Sequence, residues 1–238
     1  MVFDSSARMN ATNNNNTATL QIDWPESYAL KQAREEKSAY YYEQKISLGT
    51  GYVWSQKESY GFGCLSDDCN HMGEAAWASL LPLLKTLVNK HDIKYLNIIS
   101  DSPVSQYRNK TIMFLVAQFA KQNRVEIKWI YLESGHGKGA ADAVRAAIKR
   151  AMNEAVSFNP DAPFANAKDL LDKKDRLNIK LCIYATDDIE KVKQMLPKLK
   201  SIKGTLELHE ISANSDGLLT GKKLSDDSNI AVRINLFR

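Results

Sequence analysis

The order in which secondary-structure patterns follow one another limits the fold of this chain more than any single motif does. Leu20, Ile22 and Trp24 alternate with Thr19, Gln21 and Asp23, the period of a half-buried strand. Two more strand patterns follow at 44–54 and 59–66. Then Trp77, Leu80, Leu81, Leu84, Leu87 and Val88 recur at helical spacing over 74–90, where Pro82 is expected to kink the helix or delay its start. A strand at 94–100, a helix at 103–122 opened by Ser102 and Pro103, a strand at 124–132 and a helix at 140–156 complete the series. Three strands in a meander, then alternating helices and strands, imply an α/β fold built on a mixed sheet with helices on its faces.

The ends of this series set the expected domain organisation. Residues 10–17, "NATNNNNT", are polar and repetitive, too poor in apolar surface to offset their ordering entropy, so 1–17 is expected to be a disordered Asn-rich leader. The core is expected over 18–157. Beyond a charged, Pro-containing stretch at 158–176, a smaller β-α-β extension is expected, with a strand at 178–185, a helix at 187–200, a strand at 204–211 and a last strand at 230–237. No run of 18 apolar residues exists and the start lacks the apolar segment of a secretory signal, so no membrane span and an intracellular location are expected. Three cysteines leave one unpaired in any disulfide scheme, and Cys64, Cys69 and His71 lack an evident fourth ligand for zinc. The net charge of +4 is too mild to establish nucleic-acid binding by itself.

The order βββαβαβα is that of the ribonuclease H-like fold, in which the first strand lies beside the fourth. Asp23 and Asp101, each at a strand end, would then be neighbours. Carboxylates brought together repel, and a hard divalent cation, Mg2+ or Mn2+, relieves that repulsion. Asp142, in the first turn of the last core helix, is the third candidate ligand and Glu133 its reserve. Asp142 could equally complement the helix dipole, and Asp23 could be a solvated strand residue. The turn "GHGKG" at 135–139 frees backbone amides before a helix, and Lys138, Arg145, Lys149 and Arg150 give it a basic flank suited to phosphate. An exposed basic helix with no ligand has the same pattern.

Several segments, in order, resemble a group of transposon-derived animal proteins with a DDE transposase-like core. They are Asp23, Glu26 and Tyr28 as D-x-x-E-x-Y; Ser66, Asp67, Asp68 and His71 as SDD…H; "SDSPVSQYRNK" at 100–110; and "HGKGAAD…KR" at 136–150. The likeness spans about 20–225. It departs at Ser102 and at Ala146 and Ala147, where the family usually carries glycine. The resemblance implies that Asp23, Asp101 and Asp142 bind two metal ions for DNA strand cleavage and transfer. It also implies that His136 positions the scissile phosphate or carries a proton, and that Gln106 and Lys110 join the basic flank in holding DNA. A nuclear location and a homo-oligomer would fit that role. No terminal DNA-binding module is legible, so a fragment or a domesticated descendant is expected.

Two alternatives compete with this reading. A 3′–5′ exonuclease of the same fold class typically pairs Asp-x-Glu with a His five residues before the last Asp; here Asp23 and Glu26 stand three apart and His136 and Asp142 six apart. A non-catalytic nucleic-acid-binding or protein-interaction module could also retain the fold, since a fold does not dictate a chemistry.

Overall fold

The computed structural model describes residues 2–24, 27–30, 45–132, 139–158, 165–172, 178–223 and 232–237. The chain is an α/β protein whose strands join one mixed sheet. Strand β1 (Thr17–Asp23) lies at its centre. On one side β3 (Lys45–Trp54) pairs antiparallel with β1, and β4 (Tyr60–Ser66) antiparallel with β3. On the other, β5 (Tyr95–Ser100) runs parallel to β1, and β6 (Glu126–Tyr131) parallel to β5. The short β2 (Tyr28–Ala29) pairs with the start of β3.

Helices α2 (Gly73–His91) and α3 (Lys110–Asn123) cover the face to which Leu20, Ile22 and Trp24 point, and Trp77, Leu84, Leu87, Leu115 and Phe119 fill the core between them. Pro82 lies within α2 and does not delay its start. Helix α4 (Ala140–Phe158) packs on the opposite face, where Val144 and Ile148 meet Ile46, Leu48 and Leu65. Gly61 permits this approach, because a Cβ there would lie 2.7 Å from Val144 Cγ2. Gly61→Ala is therefore expected to cost about 1–3 kcal/mol, read from urea unfolding, as overpacking does elsewhere.

Three expectations need correction. The leader is not disordered: α1 (Val2–Asn13) lies against β1, with Ala11 fully buried and Thr19 Oγ1 donating to the Ala7 carbonyl at 2.9 Å. Arg8 donates to Gln21 Oε1 at 3.0 Å, with its guanidinium 4.3 Å over the Trp54 ring. The Asn run forms the turn between α1 and β1, where the Asn16 carbonyl accepts from the amides of Lys94 and Tyr95. Composition described that turn correctly, but it carried no sign of the sheet face awaiting cover. The same cover explains why the polar side of β1, expected to be half exposed, is buried at Thr19 and Gln21.

The second correction concerns Ser102 and Pro103, which do not open a helix. The Pro103 carbonyl accepts from the amides of Gln106, Tyr107 and Arg108, closing a tight turn, and α3 starts seven residues after Pro103. Asn109 is the true cap: its Oδ1 accepts from the Ile112 amide at 3.0 Å, while its Nδ2 donates to the carbonyls of Val104 and Ser105. The third concerns the C-terminal stretch, whose strands extend the core sheet at both edges. Strand β7 (Ile179–Ile183) adds parallel to β4, with α5 (Ala167–Leu171) before it and α6 (Thr186–Gln194) after it. Strands β8 (Glu210–Ala213), β9 (Leu219–Lys222) and β10 (Val232–Arg233) add antiparallel beyond β6. A short 3-10 turn, Thr205–Glu207, stands where the strand at 204–211 was expected. No helix among the described residues is long and apolar enough to cross a membrane.

Candidate functional site

Parallel pairing of β1 with β5 sets Gln21 opposite Ile99, and continuing that register by two residues brings Asp101 beside Asp23. Both carboxyls are partly buried at the carboxyl ends of their strands, the usual position for ligand sites in open sheets. Burial pushes the Asp101 carboxyl up to about 6, and the neighbouring Asp23 charge adds to the effect. Among the described residues, Asp101 Oδ1 is buried without a hydrogen-bond partner. The Asp23 carboxyl is also raised, chiefly by burial; Arg145 opposes that shift and Asp142 reinforces it.

Asp142 reaches the same place from α4. Its Oδ2 accepts from the Gly139 amide at 3.2 Å, which ties the carboxylate to the first turn of its own helix. Its Oδ1 accepts from Arg145 Nη2 at 2.8 Å, and Arg145 Nη1 lies 3.5 Å from Asp23 Oδ2. One guanidinium thus bridges two of the three candidate ligands, and Asp23 takes part both in that bridge and in the repulsion with Asp101.

The start of α4 is fixed by residues that motif reading passed over. The Ala140 amide donates to Gln21 Oε1 at 3.2 Å, and Thr50 Oγ1 donates to the Ala141 carbonyl at 3.2 Å. Gly139 leaves room for the Gln21 amide, which a Cβ there would displace. Strand periodicity could have found both, since Gln21 precedes Asp23 by two and Thr50 is the cross-strand partner of Asp23. Asp23 also borders a narrow crevice lined by Trp24, Thr50, Phe62, Cys64 and Tyr107.

The remaining candidates divide. Gln106 Nε2 donates to the Trp24 carbonyl at 3.3 Å, and its Oε1 is buried without a partner among the described residues. Lys110 Nζ donates to the Leu199 carbonyl at 3.2 Å, at the far end of the turn from Asp101. Lys149 lies 5.2 Å over the Tyr28 ring, and Arg150 is exposed. Glu133, His136 and Lys138 lie outside the described residues.

The SDD…H segment does structural work. Asp67 Oδ1 accepts from the Ala167 amide at 2.8 Å and Asp68 Oδ2 from Thr186 Oγ1 at 2.9 Å, fastening the C-terminal stretch to the core. The His71 ring lies tilted against Trp24, with centroids 5.0 Å apart. Among the described residues no three His, Cys, Asp or Glu side chains are grouped to enclose a metal ion, and this includes Cys64, Cys69 and His71. The fit to a cation therefore rests on two carboxylates. Asp23 and Asp101 offer hard oxygens, mutual repulsion and one buried acceptor with no partner among the described residues, a donor set suited to Mg2+ or Mn2+, while Asp142 is held by Arg145.

Fold and site together define an α/β protein with paired carboxylates at adjacent strand ends. The model of a family described as Domain of unknown function (DUF8701) matches residues 5–225, so the chain belongs to that family. No curated protein and no solved structure matches it.

Proposed function

We propose that this chain is the core of a metal-dependent DNA nuclease or strand transferase of transposase descent, with a ribonuclease H-like fold. The observation that carries this reading is the adjacency of Asp23 and Asp101 on neighbouring parallel strands, with a buried Asp101 oxygen that has no partner among the described residues. The strand order β4-β3-β1-β5-β6 supports it: the first two junctions are antiparallel and the last two parallel, and a helix follows each of β4, β5 and β6.

Asp23 and Asp101 would hold a divalent ion, and Asp142 would join them on release from Arg145. When bound, the ion supplies charge for an attacking water or hydroxyl and for the leaving oxygen. Arg145 opposes the upward shift that burial imposes on the Asp23 carboxyl. The amide of Gly139 and the first turn of α4 hold Asp142 at the positive end of a helix. Gln106 fixes the loop after Asp101 to the end of β1 through Trp24. A nuclear site of action belongs to the same proposal.

The purified protein should nick supercoiled plasmid in Mg2+ or Mn2+ and not in EDTA. It should also bind DNA through the exposed side of α4. With Arg145 held by two carboxylates, Lys149 and Arg150 remain on that helix, and about two phosphate contacts give a log–log salt slope of about −2. Arg150→Glu should weaken binding to all sequences alike and make the slope shallower by about 1. A binding constant indifferent to salt would count against a nucleic-acid surface.

A second reading has one observation behind it. The Arg145 guanidinium already stands where a cation would neutralise Asp23 and Asp142, as a non-catalytic descendant would require. DNA binding without cleavage, and a melting temperature unmoved by Mn2+, would select it.

A further inference from the structure

Cys64 on β4 and Cys182 on β7 are cross-strand partners in the parallel register. Their Sγ atoms lie 2.9 Å apart, and a movement of about 1 Å would bring them to bonding distance. We propose that Cys64 and Cys182 form a reversible dithiol–disulfide site that takes a small-molecule disulfide as its oxidant and, when closed, joins β7 covalently to the core sheet.

The two cysteines have unequal roles. Cys182 is partly exposed and can meet a reagent, whereas Cys64 is buried, with its Sγ 3.2 Å from the Ser79 carbonyl. The Cys182 thiol is shifted down, because its thiolate gains a hydrogen bond from Cys64, and that same bond, with burial, holds Cys64 up. Attack therefore starts at Cys182. Its thiolate forms a bond to one sulfur of the oxidant and expels the other as a thiolate. The Cys64 sulfur, losing its proton to that thiolate, then attacks Cys182 Sγ and displaces the second half of the oxidant, which takes up the proton Cys182 gave to solvent. Two protein thiols lose two electrons in all, and one disulfide becomes two thiols.

Position makes the bond consequential. The pair joins strands far apart in sequence, and β7 carries α6 on its carboxyl side. Cys64 also lines the crevice that Asp23 borders, so closure places a covalent link next to the carboxylate site. The inference stands apart from the metal-site reading, since it needs neither DNA nor cation.

The test uses the full chain carrying Cys69→Ser, which removes the exposed third thiol. After native incubation with glutathione disulfide, acid quenching and alkylation, mass spectrometry should find a species lighter by two hydrogens with the peptides containing Cys64 and Cys182 joined. Dithiothreitol should reverse it. With Cys64→Ser added, Cys182 should instead retain one glutathione, because no second thiol remains to displace it. With Cys182→Ser added, Cys64 should stay unmodified in the folded protein. Two free thiols after oxidation, or a stable glutathione adduct when both cysteines are present, would overturn the proposal.

Discussion

Asp101→Asn is expected to abolish metal-dependent strand cleavage while raising the stability of the metal-free protein. The amide is nearly isosteric, so the turn beyond β5 should survive, but the site loses the charge that a hard cation requires. Metal-ion catalysis contributes several kcal/mol, and the rate should fall by roughly 10² to 10⁴. Stability should move the other way, because the carboxylate is partly buried, repelled by Asp23 and left with an oxygen that has no partner among the described residues. Allowing for solvent screening of a half-exposed group, the gain at pH 7 is about 1 kcal/mol, or roughly 2–4 °C in Tm. Mn2+ should stabilise the wild type and leave the variant unmoved. A variant that cleaves like the wild type and melts at a lower temperature would show that Asp101 is an ordinary structural residue.

The same group predicts a pH dependence. The Asp101 carboxyl stands at about 6 in the fold against an ordinary 3.8. A group raised on folding stabilises fully below its unfolded value, and that stabilisation is lost as pH climbs through the folded one. The metal-free wild type should therefore lose stability relative to Asp101→Asn between about pH 4 and pH 6, and the two curves should run parallel above that window. Saturating Mn2+ should flatten the difference, since the ion favours the ionised form at the same carboxylate.

Periodicity located the elements whose stability is local, and it failed where the deciding contact is distant in sequence. β3, β4, β5, β6 and α4 appear close to where alternation or helical spacing put them, because each has one apolar face that must meet the sheet or its cover. The cap at Ser102 was misread because Pro103 suits a helix start and a tight turn equally. Burial of Tyr107 and Arg108, together with the Tyr131 hydroxyl donating to the Tyr107 carbonyl at 3.1 Å, selects the turn. The leader was misread because its cover for β1 comes from Ala7, Arg8 and Ala11, upstream of the Asn run that dominated the composition. Within the site, neighbouring positions for Asp23 and Asp101 follow from strand order alone. The bridge from Arg145 to Asp23 and Asp142 does not, since it depends on how α4 lies across β1, set by Gln21, Thr50 and Gly139.

Trp129→Ala should have the largest effect on stability. Trp129 is fully buried on β6, 5.7 Å from the Tyr107 ring and stacked at 6.3 Å on Tyr131. Its Nε1 donates to Ser100 Oγ at 2.9 Å, and that hydroxyl donates to the Asp101 carbonyl at 2.6 Å. Truncation removes the ring from a close-packed interior and leaves a cavity, a loss of about 3–5 kcal/mol against a total that is commonly 5–15 kcal/mol. Urea unfolding should show a lower midpoint at an unchanged slope. Trp129→Phe separates packing from support of the site: the smaller ring should hold most of the stability, losing about 1–2 kcal/mol, while the Ser100 hydroxyl loses its donor and is free to turn from the Asp101 backbone. Cleavage by the Phe variant should therefore drop by more than its loss of folded protein explains, with the deficit remaining at temperatures where both proteins are fully folded. Equal specific activity per folded molecule would mean that the chain from Trp129 through Ser100 serves the core alone and that Asp101 is positioned by the turn beyond it.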